Sequence, residues 1–258
     1  MRLITQGIAV TLVTFASAAA AAEPAPETIA SGALENNMFA TNNAKATIQM
    51  EISRRGKVVR RRQIRTLVKR NDGLIKSFVE FEKPADVAGT KFLSIEVGPS
   101  ETKQFIYLPA FKKVKRIVGA QRGKSFMGTD FSYSDLEGRD VSDSNWKRRP
   151  DEKVKGQDCY VIEGVPKKPD DEQYGMILLW IHKANEIPLK SEFYDKKRQK
   201  VVKRLTVNKL SRKDGRWIAV DSVMETLKKK SETRLKVVAI DLKSEIPDTA
   251  VTREALER

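Results

Sequence analysis

The sequence predicts an all-β protein with a few short helices, built on a single antiparallel sheet that curves on itself. Strand-length segments recur at short intervals from Ala44 onward, with turn residues between them. No helix-length apolar pattern with a period of 3.6 residues interrupts these segments, which argues against a parallel α/β architecture. Their spacing predicts about eleven strands.

The clearest strand begins at Ala44, where AKATIQMEIS places apolar and polar residues on opposite faces. A hairpin signal at Asn71–Gly73 leads into LIKSFVEFEK, and Pro84 ends that strand. Further strands are predicted in VVRRRQIRTLV, KFLSIEV, KQFIYLP, SNWKRR, CYVIEGV, MILLWIHK, LKSEFYD, KVVKRLTVNKL, RWIAVDSVMETL and TRLKVVAIDL.

Two of these strands are apolar on both faces. In KQFIYLPAF, Phe105 and Tyr107 share one face, while Ile106 and Leu108 share the other, and MILLWI behaves similarly. A sheet that is apolar on both sides needs cover on both sides, or a ligand on one of them. The sequence leaves open whether short helices and loops or a ligand provide the second cover.

The N-terminal residues have the pattern of a secretory signal peptide. A short basic start is followed by a mainly apolar stretch over residues 3–15 and by small residues up to Ala22. The alternative is a membrane anchor, but the apolar part is short for a span of about 20 residues. We expect cleavage near Ala22, a partly flexible or helical lead over residues 23–43, and one folded domain over residues 44–258.

The chain is strongly basic, with 49 Lys and Arg against 34 Asp and Glu and a formal net charge of +15. In a cytoplasmic protein this balance would suggest nucleic acid. An exported protein meets anionic lipid headgroups and envelope polymers instead, so these are the partners we expect, and not nucleic acid. Solubility alone is the alternative explanation of the charge.

The residue types needed for a metal site or a nucleophile are scarce. His182 is the single histidine and Cys159 the single cysteine, so neither a His-rich zinc site nor an internal disulfide is predicted. No Gly-x-Ser-x-Gly or phosphate-binding glycine motif is present. We expect no metal and no cofactor.

The segment GKSFMGTDFSYSDLEGRD, residues 123–140, is the remaining candidate for catalysis. Two of its carboxylates, for example Asp130 and Asp135, could flank a glycosidic bond. However, Ser134 and Asp135 fit the start of a short helix, and Asp130 fits a turn in which its side chain binds local backbone. We therefore expect structural carboxylates and no enzymatic activity.

The segments YLPAFKKVKRI and SFMGTDFSYSDL are similar to a signature of outer membrane lipoprotein-sorting proteins, the LolA-like group of bacterial periplasmic carriers. FEKPADVAGTKFLSIEV, YVIEGVPKK, LKSEFYDKK, DGRWIAVDSVMET and LKSEIPDTAVTREALER agree in the same order. The resemblance covers roughly residues 44–258. It implies a LolA/LolB-like fold, an unclosed barrel whose concave side is plugged by short helices.

The resemblance also implies a role. Members hold acyl chains of lipoproteins or other lipids in an apolar hollow, and they are linked with large lipid exporters, here an inner-membrane exporter of the resistance-nodulation-division type. We therefore expect a periplasmic, monomeric carrier that makes transient contact with membrane surfaces and moves lipid between inner and outer membranes. The alternative is a non-catalytic binding module whose basic surface contacts anionic polymers or headgroups.

Candidate contact residues follow from apolarity and charge. We expect the acyl chain to touch residues of the strand that is apolar on both faces and of the 123–140 segment: Phe105, Tyr107, Leu108, Phe126, Met127 and Phe131. The alternative for each of them is a plain core contact. We expect lipid phosphates or the membrane to meet the basic run Lys112, Lys113, Lys115 and Arg116.

Overall fold

In a computed structural model, which describes residues 23–36, 43–98, 100–170 and 172–258, the protein is built on one antiparallel sheet of thirteen strands. The strand order is β6-β5-β4-β3-β2-β1-β13-β12-β11-β10-β9-β8-β7. The two edge strands, β6 and β7, do not pair with each other, so the sheet is not closed into a barrel. The predicted single antiparallel sheet is confirmed, and the strand number rises from about eleven to thirteen. The predicted signal peptide lies outside the described residues.

The elements have the following bounds: α1 Pro26–Glu35, β1 Ala44–Arg54, β2 Lys57–Asn71, β3 Leu74–Lys83, β4 Lys91–Gly98, β5 Glu101–Leu108, β6 Lys113–Ile117, β7 Ser144–Val154, β8 Gln157–Pro166, β9 Met176–His182, β10 Pro188–Tyr194, β11 Val201–Lys213, β12 Arg216–Thr226 and β13 Ser231–Asp241. Short 3-10 helices lie at Pro109–Phe111, Gly119–Gln121, Tyr133–Leu136, Val141–Asp143, Leu227–Lys229, Asp248–Val251 and Glu254–Leu256.

The chain fills the sheet in two passes that meet in the middle. From the centre it runs outward through β1 to β6, crosses to the opposite edge, and returns through β7 to β13, which pairs with β1. The crossing connection, residues 118–143, must span the sheet. This topology places that connection over one face of the sheet, and we call residues 122–137 of it the plug.

The inner face, which the plug covers, carries the main core. The alternation predicted for β1 is confirmed, because Ala46, Ile48, Met50 and Ile52 are all buried while Lys45 and Gln49 on the other face are exposed. Phe126 and Phe131 of the plug belong to the same apolar cluster. Helix α1 adds Ile29, Ala30 and Ala33 from the β7–β8 end.

The outer face of β2 to β5 is covered by the C-terminal segment. Val251 and Leu256, in its two 3-10 helices, are completely buried and pack with Leu67, Phe78 and Leu93. This explains why strand β5 is apolar on both faces, since the inner face meets the core and the outer face meets the C-terminal segment.

Strand β6 was missing from the predicted strands. Its sequence KVKRI has only two apolar residues, and three of its five side chains are exposed. Lysines on an edge strand discourage pairing with a second chain, so the charge that hid this strand fits its position at the edge. No helix within the described ranges is long and apolar enough to cross a membrane.

Candidate functional site

The inner face of the sheet encloses two adjoining cavities, which together we call the hollow. The larger has a volume of about 470 Å³ and the smaller of about 180 Å³. Ser77, Phe131, Leu136 and Ala219 line both, so the two spaces meet beneath the plug. Cavities in a well-packed core are normally small, so this much space on an apolar face indicates a place for a ligand.

The walls of the larger cavity are mainly apolar because successive strands send their alternate side chains to the same face. β1 and β2 contribute the residues Ala44, Ala46, Ile48, Met50, Ile64 and Val68, and β13 contributes Leu235, Val237 and Ile240. Methionine adapts to irregular shapes, so Met50 suits a wall that meets a flexible chain.

The plug closes the inner end of the larger cavity with aromatic rings. The Phe126 ring lies 5.1 Å from that of Phe92 and 5.6 Å from that of Tyr133, both nearly edge to face. The Phe81 ring is 5.7 Å from the same ring. Each such pair stabilises the arrangement by about 1 kcal/mol beyond its buried area.

One polar contact joins the plug to the centre of the sheet. Asp130 is 5% exposed and accepts hydrogen bonds from the hydroxyls of Ser231 and Thr233 on β13, the latter at 2.8 Å. The Asp130 backbone N–H also donates to Thr233 Oγ1 at 2.9 Å. The expected local turn bonds of Asp130 are therefore a wrong prediction, because its carboxylate binds a strand about 100 residues away in sequence.

A second polar contact joins the plug to β11. Lys203 Nζ lies 2.7 Å from Asp135 Oδ2, and Tyr174 Oη donates to Asp135 Oδ1 at 2.8 Å. Asp135 Oδ2 also accepts from the Ser132 backbone N–H, as predicted for a carboxylate near the start of a short helix. Burial and the adjacent Asp135 carboxylate both raise the pKa of the Tyr174 phenol.

A buried guanidinium ties the plug to β2. Arg62 is 8% exposed, donates to the Met127 carbonyl at 2.6 Å and lies over the Phe81 ring. Burial lowers the pKa of Arg62, and the neighbouring Arg60 lowers it further. These contacts attach the plug to β2, β11 and β13, and Gln104 of β5 also donates to the Tyr133 carbonyl at 2.8 Å.

The structure separates the six predicted acyl-contact residues into two groups. Phe126 and Phe131 line the larger cavity, and Met127 and Leu108 pack against the same core. Phe105 and Tyr107 instead lie on the outer face under the C-terminal segment, because their parity along β5 is opposite to that of Ile106 and Leu108. Contact of any of these side chains with an acyl chain stays a prediction.

The predicted headgroup residues lie away from the hollow, at the β5–β6 edge. Lys112, Lys113, Lys115 and Arg116 are all exposed, and none of them forms an ion pair with another described residue. Beside them Phe111 is 62% exposed, with Lys115 Nζ 5.3 Å from its ring centroid. An exposed aromatic residue among lysines is a composition found at membrane interfaces.

The charged rim of the larger cavity was not predicted. Arg212, Arg216 and Trp217 of the β11–β12 hairpin line it, together with Glu35 at the end of α1. These are exposed residues, so they mark the open end of the cavity. Local sequence gives no signal for this role, because the hairpin reaches the rim only through the strand order.

The single cysteine and the single histidine line neither cavity of the hollow. Cys159 is completely buried on the outer face, where burial raises the pKa of its thiol. His182 ends β9, opposite Cys159. Within the described ranges, no group of three or more His, Cys, Asp or Glu side chains could hold a metal ion.

Comparisons with known proteins agree with this architecture. A protein-family model described as uncharacterised protein-like matches residues 73–258. The chain is similar to the crystal structure of a DUF1329 family protein from Desulfovibrio piger, with a TM-score of 0.82, 29% identity, and coverage of 90% of this chain and 98% of that one. The chain belongs to the DUF1329 family.

Two further solved structures are similar to this chain. One, from Vibrio parahaemolyticus, is described as an outer membrane lipoprotein-sorting protein domain and has a TM-score of 0.82 at 28% identity, covering 90% of this chain and 98% of that one. The other is a LolA superfamily protein from Nitrosomonas europaea, with a TM-score of 0.71 at 18% identity over 90% of this chain and all (100%) of that one. The predicted LolA-like family and fold are confirmed. No curated protein matches the sequence.

Proposed function

We propose that this DUF1329 protein is a periplasmic carrier that holds an acyl chain of a lipid or lipoprotein in the hollow and moves it between the inner and outer membranes. The observation that carries this proposal is the apolar cavity of about 470 Å³ on the inner face of the sheet. The resemblance to a protein described as a lipoprotein-sorting domain supports the same conclusion.

The energetic reason for such a carrier is the cost of exposing an acyl chain to water. Each exposed methylene costs about 0.8 kcal/mol, so a long chain cannot cross an aqueous compartment at a useful rate without cover. The hollow offers apolar cover from several strands at once. Its rim stays open at the β11–β12 hairpin, which allows the bound chain to leave again.

The proposal assigns no reaction to the hollow. The carboxylates of Asp130 and Asp135 are each held by hydrogen bonds that fasten the plug to the sheet. We propose that they serve this attachment. An inner-membrane lipid exporter of the resistance-nodulation-division type is the partner we propose as the lipid donor.

Membrane contact is a second part of the proposal, and it is located at the β5–β6 edge. Phe111 with Lys112, Lys113 and Lys115 offers an apolar ring for the interface and cations for anionic headgroups. The same exposed cations favour the alternative function, a binding module for anionic envelope polymers. The two functions differ in whether the hollow is filled.

Uptake of a fluorescent fatty acid by the purified protein, with mass spectrometry of co-purified lipid, tests the carrier. We expect Ala46→Phe to abolish uptake, because Ala46 lines the larger cavity and the added ring would fill part of it. The matched control is Ala85→Phe, in the exposed turn between β3 and β4 and away from both cavities, which should bind normally. Absence of co-purified lipid and of any uptake by the unmodified protein would refute the carrier and favour the polymer-binding module.

A further inference from the structure

The sheet contains a gap between strands β12 and β13. These strands pair only from Asp221 with Lys236 to Thr226 with Ser231, although β12 begins at Arg216 and β13 continues to Asp241. Residues 216–220 and 237–241 therefore run without pairing to each other. This leaves an opening in the middle of the sheet, which we call the window.

The window is a built feature and not a frayed end, because both of its sides are held by other strands. On one side Ala219 pairs with Leu210 of β11, and on the other Ala239 pairs with Thr47 of β1. The register shifts beside the window, between Val207 and Leu210 in β11 and at Thr47 in β1. Bulges of this kind bend a strand away from its neighbour, which accounts for the separation.

Two polar contacts close the outer end of the window. Lys213 Nζ donates to the Ile240 carbonyl, and Lys243 Nζ lies 3.0 Å from Asp214 Oδ1. The inner end is closed by the Asp221–Lys236 pair. The window therefore has a fixed frame on all sides.

The larger cavity lies directly behind the window. Trp217, Ile218 and Ala219 from one side and Val237 and Ile240 from the other line it. Trp217 remains 48% exposed, so this wall of the cavity reaches solvent. An amphiphile could keep its acyl chain inside and its headgroup outside at this point.

The charge at the window is unbalanced toward cations. Arg212 and Arg216 line the cavity, and Glu35 is the one carboxylate among its described lining residues. Arg212 Nε donates to the Gly215 carbonyl at 3.3 Å, and neither guanidinium forms an ion pair with another described residue. Guanidinium groups bind carboxylate and phosphate through paired N–H donors, so two guanidiniums without a carboxylate partner beside an apolar cavity suit an anionic amphiphile.

We propose that Arg212 and Arg216 form an anion site at the window, which binds the negatively charged headgroup of the amphiphile whose acyl chain fills the larger cavity. This inference rests on the proposed carrier function and specifies its cargo as an anionic lipid. It places the headgroup at the β11–β12 hairpin and assigns the distant Lys112–Arg116 run to another role.

Displacement of a fluorescent fatty acid by four single-chain competitors tests this site. Oleate and oleoyl lysophosphatidylglycerol carry a carboxylate and a phosphate, whereas oleyl alcohol and monooleoylglycerol are neutral. We expect the anionic pair to bind the unmodified protein about tenfold more tightly than the neutral pair. Inorganic phosphate alone should not compete, because it has no chain to bury.

Arg212→Gln/Arg216→Gln should reduce affinity for both anionic competitors about tenfold and leave the neutral ones unchanged. The matched control is Arg54→Gln/Arg55→Gln, an exposed arginine pair at the β1–β2 turn on the opposite end of the sheet. Both double variants remove the same charge, so equal losses in the two would overturn the anion site.

Unchanged affinity of the Arg212→Gln/Arg216→Gln protein for oleate would likewise overturn the anion site while leaving the carrier intact. Competition by inorganic phosphate as strong as that by the lysolipid would overturn the assignment to an amphiphile. Failure of the unmodified protein to bind any of the four competitors or the probe would instead refute the carrier function itself.

Discussion

Asp130 attaches the plug to β13, so its replacement should lower the free energy of unfolding. Replacing Asp130 by Ala removes the acceptor for the hydroxyls of Ser231 and Thr233, which then stay buried without it. Each buried polar group left without a partner costs about 1–3 kcal/mol. The Asp130→Ala protein should therefore lose roughly 3–5 kcal/mol of unfolding free energy, a large part of the stability of an ordinary domain.

Asp130→Asn is the graded comparison, because the amide oxygen keeps one neutral acceptor in the same place. Hydrogen bonds to a charged group are stronger than neutral ones, so we expect a loss of about 1–2 kcal/mol for this variant. Thr233→Val removes one donor from the other side of the same contact. The double variant with Asp130→Ala should then lose less than the sum of the single losses, since the two residues act on one interaction.

Urea unfolding followed by circular dichroism measures these losses. With a typical slope of about 2 kcal/mol per M urea, Asp130→Ala should lower the unfolding midpoint by roughly 1.5–2.5 M without a change in slope. A loss under about 0.5 kcal/mol, or strictly additive effects of Asp130→Ala and Thr233→Val, would refute the role of Asp130 as an anchor.

Three further predictions concern other parts of the fold. The pKa of Tyr174 is raised above its usual value of 10.0 by burial and Asp135, so its contribution to stability should be complete below about pH 10 and decline as the pH rises beyond it; Tyr174→Phe should flatten this decline in urea unfolding at pH 9–11. Gly164→Ala should cost about 1–3 kcal/mol and change the emission of Trp146, because the new Cβ would lie 2.5 Å from the Trp146 ring; a wild-type melting curve would contradict this packing. Leu256→Ala should cost about 2–5 kcal/mol, since this side chain is completely buried, yet leave fatty-acid uptake intact because it packs on the outer face; lost uptake in the folded variant would show that the two faces are not independent.

The predictable parts of the fold are those that depend on local sequence patterns. The alternation in β1 gave both the strand and its buried face, and the apolarity of β5 on both faces correctly indicated that something must cover each side. The family signature gave the unclosed sheet. β6 was missed because an exposed edge strand needs little apolar sequence.

The parts that were not predictable depend on residues far apart in the chain. The anchoring of Asp130 to Thr233 requires β13 to lie at the centre of the sheet, which no local pattern states. The same strand order brings Arg212 and Arg216 to the rim of the larger cavity. The sequence instead predicted headgroup contact at Lys112–Arg116, because these basic residues are adjacent in the chain. Residues that come together only in the folded sheet cannot be recognised in this way.

The central claim, that an acyl chain occupies the larger cavity, is tested most directly with the protein's own tryptophans. Trp217 lines that cavity, whereas Trp180 is buried, faces the opposite side of β9 from Leu179 and lines neither part of the hollow. Single-tryptophan proteins that keep one or the other can be titrated with a fatty acid brominated along its chain, since bromine quenches indole emission on contact. Strong quenching of Trp217 at one ligand per chain, with Trp180 unaffected, is the predicted result. Equal quenching of both, or none at Trp217, would contradict the claim.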